Sequence, residues 1–348
     1  MKAVSVSSAA ISNALRYSNA RMQVDLVKAM KEMDTSRVAD LGLALGARSA
    51  QSINFHRDID RLQGIVDSNA LVTSRLSSTQ AALGNLSDFA QNLMSVLTTA
   101  ISGDAAATTV RDTGTATLQS LTSILNTSVN GEYLFAGINT DTKPLADFSA
   151  TSAAKIAFDT AFSNYFGFAQ TDLQAANITA AQMTDFLNDP SVTDQFLGAD
   201  WTNWSSATDQ TITSRIALSD TSQTSVSANI DGVRKLAMAA AIVSDLFDAN
   251  LSDGARQAVA QRALSLAGEA TSDLTQTQAQ TGIIEKRVSD ASDRMTMQID
   301  LFNRHILDLE GVDGYEVANR VNDLVAHIQT SYELTARIQQ LSLLNFLT

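Results

Sequence analysis

The sequence predicts a mainly α-helical fold: a long antiparallel helical coiled-coil rod built from both chain ends, with a small mixed α/β, strand-containing domain inserted at the tip. Apolar residues recur every three or four positions in both terminal thirds, which is the pattern of long packed helices. The two prolines, Pro144 and Pro190, both lie in the middle third. Both tryptophans, Trp201 and Trp204, lie there too, so we expect the middle to be organised differently from the ends.

Composition narrows the class of protein. A chain of 348 residues is long enough for two or three domains, and 45% hydrophobic with 18% charged residues indicates an ordered chain. The net charge of -13 argues against a nucleic-acid surface and against binding to an anionic membrane. The chain contains no cysteine, which excludes disulfides, thiolate metal sites and thiol nucleophiles. The N-terminal stretch lacks the apolar core of a Sec-type signal peptide, and no apolar run approaches the ~20 residues of a membrane span.

The N-terminal arm carries a heptad-like seam. Its positions hold apolar, small or uncharged side chains: Ile59, Leu62, Val66, Asn69, Thr73, Leu76, Gln80, Leu83, Ser87, Ala90, Met94 and Leu97. The stretch SGDAA at 102–106 interrupts this pattern, and a second helix follows with Leu118, Leu121 and Leu125 on one face. Gly131 then occupies the position of a glycine that ends a helix.

The stretch NGEYLFAGINTDTKPL, residues 130–145, stands out in a chain that is poor in aromatic residues. It places three large apolar side chains between two glycines. We interpret it as a staple at a domain junction, formed by Gly131, Tyr133, Leu134, Phe135 and Gly137.

The middle of the chain loses the long rhythm. Residues 155–166 and 179–189 are typical of short helices, while 211–219 and 224–229 are rich in β-branched residues and predict strands. Because the tryptophans and a large share of the phenylalanines lie here, we expect a small domain with its own core.

The helical rhythm returns at Ile230. It is regular in the later part, at Ile284, Val288, Ala291, Met295, Ile299, Phe302, Ile306 and Leu309. The stretch GVDG at 311–314 breaks it, and Asp313 with Glu316 resembles a capping box that begins a last helix. Helices of this length are not stable alone as amphipaths, so we expect the two arms to pack antiparallel. The predicted domains are an N-terminal assembly region (1–45), an N-terminal half of the rod (46–137), the inserted tip domain (138–228), a C-terminal half of the rod (229–311) and a C-terminal assembly helix (312–348).

The C-terminal stretch is apolar on nearly all sides. It carries Ile338, Leu341, Leu344, Phe346 and Leu347. A helix that is apolar all round must be buried, either in the core of its own domain or against other chains. We favour burial in an assembly, because the long N-terminal helix already occupies the seam inside this chain.

No pattern of a catalytic, cofactor or metal site was found. Motifs for phosphate-binding loops, dinucleotide binding, serine hydrolases and zinc proteases are all missing from the sequence. The three histidines, His56, His305 and His327, have no partner at metal-ligand spacing, and we expect them to be solvated helix-surface residues. We therefore expect a protein that is not an enzyme and needs no cofactor.

The segment at 130–145 and the C-terminal end of the chain resemble the flagellin-like family, and within it the flagellar hook–filament junction proteins (hook-associated protein 3). The segment NGEYLFAGINTDTKPL is similar to that family's Asn-Gly-x-Tyr-Leu-Phe-[Ser/Ala]-Gly segment, a form that flagellins usually lack. The end LSLLNFL, at 341–347, is similar to the C-terminus that the family shares with flagellins. The resemblance covers roughly 1–137 and 229–348. The family's proline-containing segment near the first helix is missing at 33–60, where we expect a more helical connection.

The resemblance implies a structural adaptor of the flagellum, located outside the cell and exported by the flagellar apparatus without a cleaved signal peptide. It would join the hook, through hook-associated protein 1, to the flagellin filament. It would form a homo-oligomeric ring there, with its export chaperone on the C-terminal region, and it would be required for filament attachment and motility. Two alternatives remain open: a flagellin filament subunit, and a cytoplasmic signalling coiled coil, for which strict heptads are expected.

Overall fold

A computed structural model describes residues 8–247 and 250–347, and for residues 8, 9, 12 and 339–347 it describes the backbone alone. The described chain is mainly α-helical, as predicted. Its α-helices are α1 Ser8–Thr35, α2 Leu41–Leu45, α3 Ser49–Ile101, α4 Ala107–Leu125, α5 Ala153–Phe166, α6 Ala180–Leu187, α7 Pro190–Leu197, α8 Asp231–Leu246, α9 Asp253–Glu310 and α10 Gly314–Leu347. The short helices α5 and α6 confirm the predicted helices at 155–166 and 179–189.

Two small antiparallel sheets complete the described fold. One pairs β1 Ser128–Val129 with β2 Glu132–Tyr133, and the other pairs β3 Thr213–Ala217 with β4 Asp220–Gln223. The predicted second strand at 224–229 is wrong. The chain turns at Leu218 and Ser219, so the partner of β3 lies directly after the turn, with Thr213 opposite Gln223.

The chain forms two compact units. The terminal unit comprises residues 1–64 and 295–348, and the central unit comprises residues 65–294. The boundary divides the long helices α3 and α9, and each unit is described below with its own segments of them. The functional boundaries predicted from the sequence follow a different criterion and stay predictions.

In the terminal unit, segments from the two chain ends pack antiparallel. Gln23 of α1 donates a hydrogen bond to the hydroxyl of Tyr332 in α10 (2.7 Å), while Glu32, further along α1, pairs with Arg320 (3.0 Å). Phe55 of α3 stacks on Phe302 of α9 with ring centroids 5.4 Å apart. The predicted antiparallel pairing of the two arms is therefore present in this unit.

In the central unit, the remaining segments of α3 and α9 also run antiparallel. Asn69 lies opposite Ser292, with its amide nitrogen 3.0 Å from the serine hydroxyl, and Gln80 lies opposite Glu285 at 2.7 Å. In this unit the predicted seam is buried at Asn69, Leu76, Leu83, Ser87, Ala90 and Leu97, and its counterpart on α9 at Val288 and Ala291. In the terminal unit the same two seams are buried at Leu62, Met295, Ile299 and Ile306. The three-four rhythm therefore identified the buried face of both helices.

The expectation that the middle has its own core is wrong. One continuous hydrophobic cluster contains Leu83 and Leu97 of α3, Phe158 and Phe162 of α5, and Leu266 of α9. Helix α8 connects these parts, because most of its residues, on all of its sides, are buried. The aromatic residues of the insert thus complete the core of the central unit instead of forming a separate one.

The hairpin of β3 and β4 packs on the helical pair of the central unit. Ile216 is fully buried against Leu76 of α3 and Val288 of α9. The amide of Asn69 donates a hydrogen bond to the carbonyl oxygen of Ile216 (2.9 Å), and Arg287 pairs with Asp220 (2.5 Å). Part of the predicted insert therefore lies along the helices at these positions.

Two breaks in the helical arms differ from the sequence expectation. The chain between α1 and α3 is only partly helical, since residues 36–40 form no helix and α2 and a short 3-10 helix follow them. On the C-terminal side, α8 ends at Leu246 and α9 begins at Asp253, whereas the sequence indicated no break there. Among the described residues, no helix is long and apolar enough to cross a membrane.

Candidate junction and assembly sites

The junction motif begins with a tight hairpin. Residues Asn130 and Gly131 form its turn with φ angles of 55° and 85°. Positive φ at both central residues is the geometry of the hairpin turn that favours Asn-Gly. The prediction that Gly131 ends a helix is therefore wrong: α4 ends at Leu125, and Gly131 connects β1 to β2 instead.

Helix α3 holds this hairpin through one arginine. The guanidinium of Arg75 contacts the carboxylate of Glu132 at 2.7 Å and donates a second hydrogen bond to the carbonyl oxygen of Tyr133 at 3.0 Å. The Arg75 side chain is only 15% exposed. A planar guanidinium can make both contacts at once, which fixes the position of the hairpin on α3.

The apolar triplet of the motif runs from the hairpin into the core. Tyr133 ends β2 and is half-buried, whereas Leu134 and Phe135 are 1% and 0% exposed. Backbone hydrogen bonds hold the segment on both sides: Leu134 N–H donates to Thr127, and Phe135 accepts from Ala228 N–H (2.8 Å). The segment thus ties the end of α4 to the chain that leads into α8.

Gly137 is required by both conformation and space. Its φ is +70°, and a Cβ atom there would lie 2.4 Å from the carbonyl oxygen of Thr208 and 2.7 Å from that of Gln210. The backbone of residues 208–210 crosses the motif at this point, since Thr208 N–H donates to the carbonyl oxygen of Ala136. Sequence reasoning assigned Gly137 to the junction motif, but this close approach between distant segments was not predictable from it.

The predicted C-terminal interface lies largely outside the described side chains. Ile338 is half-buried in α10. Leu341, Leu344, Phe346 and Leu347 lie outside the residues whose side chains the structure describes, so their role stays a prediction.

The terminal unit carries apolar side chains on a second face of α1. Tyr17, Val24 and Val27 are 80%, 55% and 67% exposed. At 3.6 residues per turn they lie away from Asn19 and Ala29, which are buried. Sequence reasoning placed α1 in the N-terminal assembly region (1–45) but named no interface residues on it, although the spacing of seven and three between these residues was a usable signal.

Glu310, the last residue of α9, forms a buried charged cluster in the terminal unit. Its side chain is 1% exposed and accepts hydrogen bonds from Ser52, from His56 Nε2 (3.1 Å) and from Arg37 Nη1 (3.0 Å). Burial raises the pKa of this carboxyl, but the hydrogen bonds from Ser52 and His56 and the charges of His56 and Arg37 outweigh burial, so the pKa of Glu310 lies below its usual value. The carbonyl oxygen of Glu310 also accepts from Val38 N–H (2.8 Å). The cluster therefore connects the breaks that follow α1 and α9.

The histidines divide between two environments. His56 contacts Glu310 with a side chain that is still 43% exposed on α3, while His305 and His327 are exposed. The ring of His305 nevertheless stacks on Phe55, with centroids 5.5 Å apart. Within the described part of the chain, no group of three or more acidic, histidine or cysteine side chains is arranged to hold a metal ion.

Two family models match the sequence. One describes the bacterial flagellin N-terminal helical region and matches residues 6–140, and the other describes the bacterial flagellin C-terminal helical region and matches residues 264–347. Together they cover more than half of the chain. The chain belongs to the flagellin-like family. The C-terminal family model matches this flagellin-like protein from residue 264, whereas the sequence resemblance placed the start of the C-terminal arm at about residue 229.

A solved structure shares the fold of this flagellin-like protein. It is a protein from Vibrio parahaemolyticus, provisionally assigned as flagellar hook-associated, with a TM-score of 0.50 and 11% identity over 76% of this chain and 97% of that one. At this identity the likeness shows the fold alone. No curated protein matches the chain as a relative. The family makes this flagellin-like protein a structural component of the bacterial flagellum that assembles with other flagellar proteins.

Proposed function

We propose that the chain is the adaptor that joins the flagellar hook to the flagellin filament. In this role it forms a homo-oligomeric ring at the distal end of the hook. One side of the ring contacts hook-associated protein 1, and the other side is the platform on which flagellin begins to polymerise. Filament attachment and motility then depend on it.

The junction motif carries this proposal. The segment from Asn130 to Pro144 resembles that of hook–filament junction proteins, in a form that flagellins usually lack. Its physical constraints are specific, because Arg75 fixes the hairpin and Gly137 allows the chain to pass Thr208. The motif therefore favours the junction role over that of a filament subunit.

The exposed apolar face of α1 supports assembly through the terminal unit. Tyr17, Val24 and Val27 are exposed on one face of α1, and apolar residues exposed together are typical of an interaction surface. Together with the C-terminal stripe from Ile338 to Leu347, this face would be buried between copies and against neighbouring flagellar proteins. Before assembly, an export chaperone would cover the C-terminal region while the chain passes through the flagellar export apparatus to the outside of the cell.

Electron microscopy with immunogold labelling tests the proposal. Antibodies against the purified chain should label intact flagella in one narrow band at the junction of hook and filament. A strain without the chain should make hooks without filaments and release flagellin into the medium, and supplying the gene again should restore filaments.

The same experiment distinguishes the alternatives. Labelling along the whole filament, with loss of the filament protein itself in the deletion strain, would establish a filament subunit. Labelling confined to the cytoplasm, with intact filaments in the deletion strain, would support a signalling coiled coil and contradict the adaptor role.

A further inference from the structure

Four planar groups stack face to face in the central unit. Phe148 lies parallel to Trp204, with centroids 4.9 Å apart and an interplanar angle of 7°, and Trp204 lies parallel to Trp201 at 5.8 Å. The guanidinium of Arg234 lies over the Trp201 ring, 5.5 Å from its centroid. Both tryptophans are 2% exposed, whereas Phe148 is half-buried, so Phe148 is the ring of the stack that solvent reaches most.

Phe148 lines a cavity of about 550 Å³ beside helix α4. This volume falls within the range of about 300–1,000 Å³ that is typical of small-molecule sites. Trp204 stacks on one face of the Phe148 ring, and the same ring lines the cavity, where a ligand can contact it. The C–H groups on a sugar ring carry small positive charges, and the face of an aromatic ring is negative, so a sugar can stack there.

Unpaired polar groups surround this ring. The side chains of Gln119, Thr122 and Ser123 line the cavity from α4, and Ser149 lines it beside Phe148. None of these four side chains makes a hydrogen bond to another group in the described part of the chain. They offer three hydroxyls and one amide, which can both donate and accept hydrogen bonds.

The charges of the cavity balance each other. Lys143 and Asp147 both line it and form an ion pair at 3.4 Å. The cavity therefore holds no net charge that would attract an acidic or a basic ligand. An aromatic face with hydroxyls, an amide and balanced charge suits a neutral polyol with one apolar face.

We propose that this cavity is a binding site for a neutral hexopyranose unit of a glycan, which stacks on Phe148 and hydrogen-bonds to Gln119, Thr122 and Ser123. The site shares Lys143 with the junction segment at 130–145, but it does not depend on the adaptor role. A single sugar in an open site of this kind binds weakly, with a dissociation constant of the order of 1–10 mM.

Fluorescence titration of the full chain tests the site. Trp201 and Trp204 are the two tryptophans of the protein, and both lie in the stack, so their emission reports on Phe148. Methyl glycosides of glucose, galactose and mannose would each be added to about 100 mM, well above the expected dissociation constant. We expect a saturable change with at least one of them, together with saturation transfer from the protein to the C–H groups of that sugar in NMR.

Three variants locate the binding. Phe148→Leu should weaken it about tenfold, because the stacking face is lost, and Gln119→Ala should weaken it about threefold, because one hydrogen bond is lost. Gln119 is exposed on α4, so this second variant tests the site even if Phe148→Leu fails to fold. Tyr165→Leu removes an exposed aromatic ring that does not line the cavity and should leave binding unchanged.

Two results would overturn the proposal. One is a response that does not saturate with any of the three glycosides, or binding in both Phe148→Leu and Gln119→Ala that is as strong as in the unmodified protein. The other is tighter binding of adenosine than of every glycoside, since this would assign the ring to a flat aromatic ligand instead of a sugar.

Discussion

Two glycines flank the apolar triplet of the junction motif for different physical reasons. Gly131 has φ +85° and open space where a side chain would lie, so only its backbone conformation favours glycine. Gly137 has φ +70°, and a Cβ atom at this position would also lie less than 3 Å from the carbonyl oxygens of Thr208 and Gln210. A side chain at Gly137 must therefore displace a neighbouring backbone, whereas one at Gly131 need not.

The matched variants Gly131→Ala and Gly137→Ala measure this difference. Gly131→Ala should lower the free energy of unfolding by about 1–2 kcal/mol, the cost of a left-handed conformation for alanine. Gly137→Ala should cost at least about 1 kcal/mol more, because the steric overlap adds to the same conformational cost. Chemical denaturation followed by circular dichroism measures both, and equal losses would contradict the close approach to Thr208.

The pKa of Glu310 predicts a pH dependence in the terminal unit. Because its folded pKa lies below the usual value, the carboxylate stabilises the fold above the ordinary glutamate pKa of about 4.3, and this contribution is lost as the pH falls through the lower folded pKa. The protection factor of the Val38 amide, which donates to the carbonyl oxygen of Glu310, should therefore fall on acidification once the pH dependence of intrinsic hydrogen exchange has been subtracted. Glu310→Gln should weaken this acid dependence, whereas Glu316→Gln, at an exposed position, should preserve it. An unchanged acid dependence in Glu310→Gln would contradict the role of this cluster.

At the scale of elements, the β3–β4 hairpin shows how a short strand pair is stabilised. Two strands of five and four residues are not stable alone. Ile216 supplies the missing apolar contact, with Leu76 and Val288 on two different helices. The amide of Asn69 donates to the carbonyl oxygen of Ile216, so the polar position in the seam of α3 attaches the hairpin to the helix.

Ile216→Ala should detach the hairpin from the helices. The loss of a fully buried isoleucine typically costs about 2–5 kcal/mol. Leu218→Ala, in the turn of the same hairpin, serves as the control because Leu218 is 42% exposed. NMR chemical shifts of residues 213–223 would report the detachment, and similar spectra for the two variants would contradict the packing assigned to Ile216.

The C-terminal stripe leads to a prediction about assembly. Leu341 and Leu344 follow Ile338 at spacings of three. Each buried leucine cut to alanine typically costs about 2–5 kcal/mol, and in our proposal this cost falls on the assembled flagellum. The double variant Leu341→Ala with Leu344→Ala should therefore keep the melting temperature of the monomer and leave cells with hooks but no attached filaments.

Secretion of this double variant must be measured as a control. A variant that stays inside the cell would indicate that the chaperone interaction is affected. A monomer that melts many degrees lower would show that the stripe belongs to the core of the free chain, and normal swimming would show that it is not the joint.

At the scale of the molecule, the shared core makes the insert and the central helices depend on each other. Phe158 and Phe162 of the insert belong to the same cluster as Leu83 and Leu266. The valine, leucine, isoleucine and methionine side chains of helix α8 are all buried in this core. The insert therefore helps to shield the apolar side chains of α8 from water.

Deletion of residues 146–226 should consequently unfold much of the central unit. The removed segment covers α8, and its absence would expose an apolar helix to water. Circular dichroism should show that the variant loses more helical residues than the deleted segment contained. A helical content per residue higher than that of the full chain would instead mean that the insert has an independent core, as the sequence alone suggested.

Local periodicity determined the elements of this protein. The three-four rhythm marked the buried faces of α3 and α9, and Asp313, whose carboxylate accepts from the backbone N–H groups of Tyr315 and Glu316, marked the start of α10. Such signals are readable because residues within a few positions of each other on a helix share one face. The junction motif at 130–145 was recognisable for a similar reason, since its residues are contiguous in the sequence.

Contacts between distant positions were decided by the tertiary structure. Glu310 meets Ser52 and His56 across more than 250 positions, and Gly137 meets Thr208 across 71. No short-range pattern marks these pairs, because their energy depends on which backbone segments come together. The shared core of the central unit has the same origin: an apolar residue in the sequence shows that it will be buried, and only the folded chain decides against what.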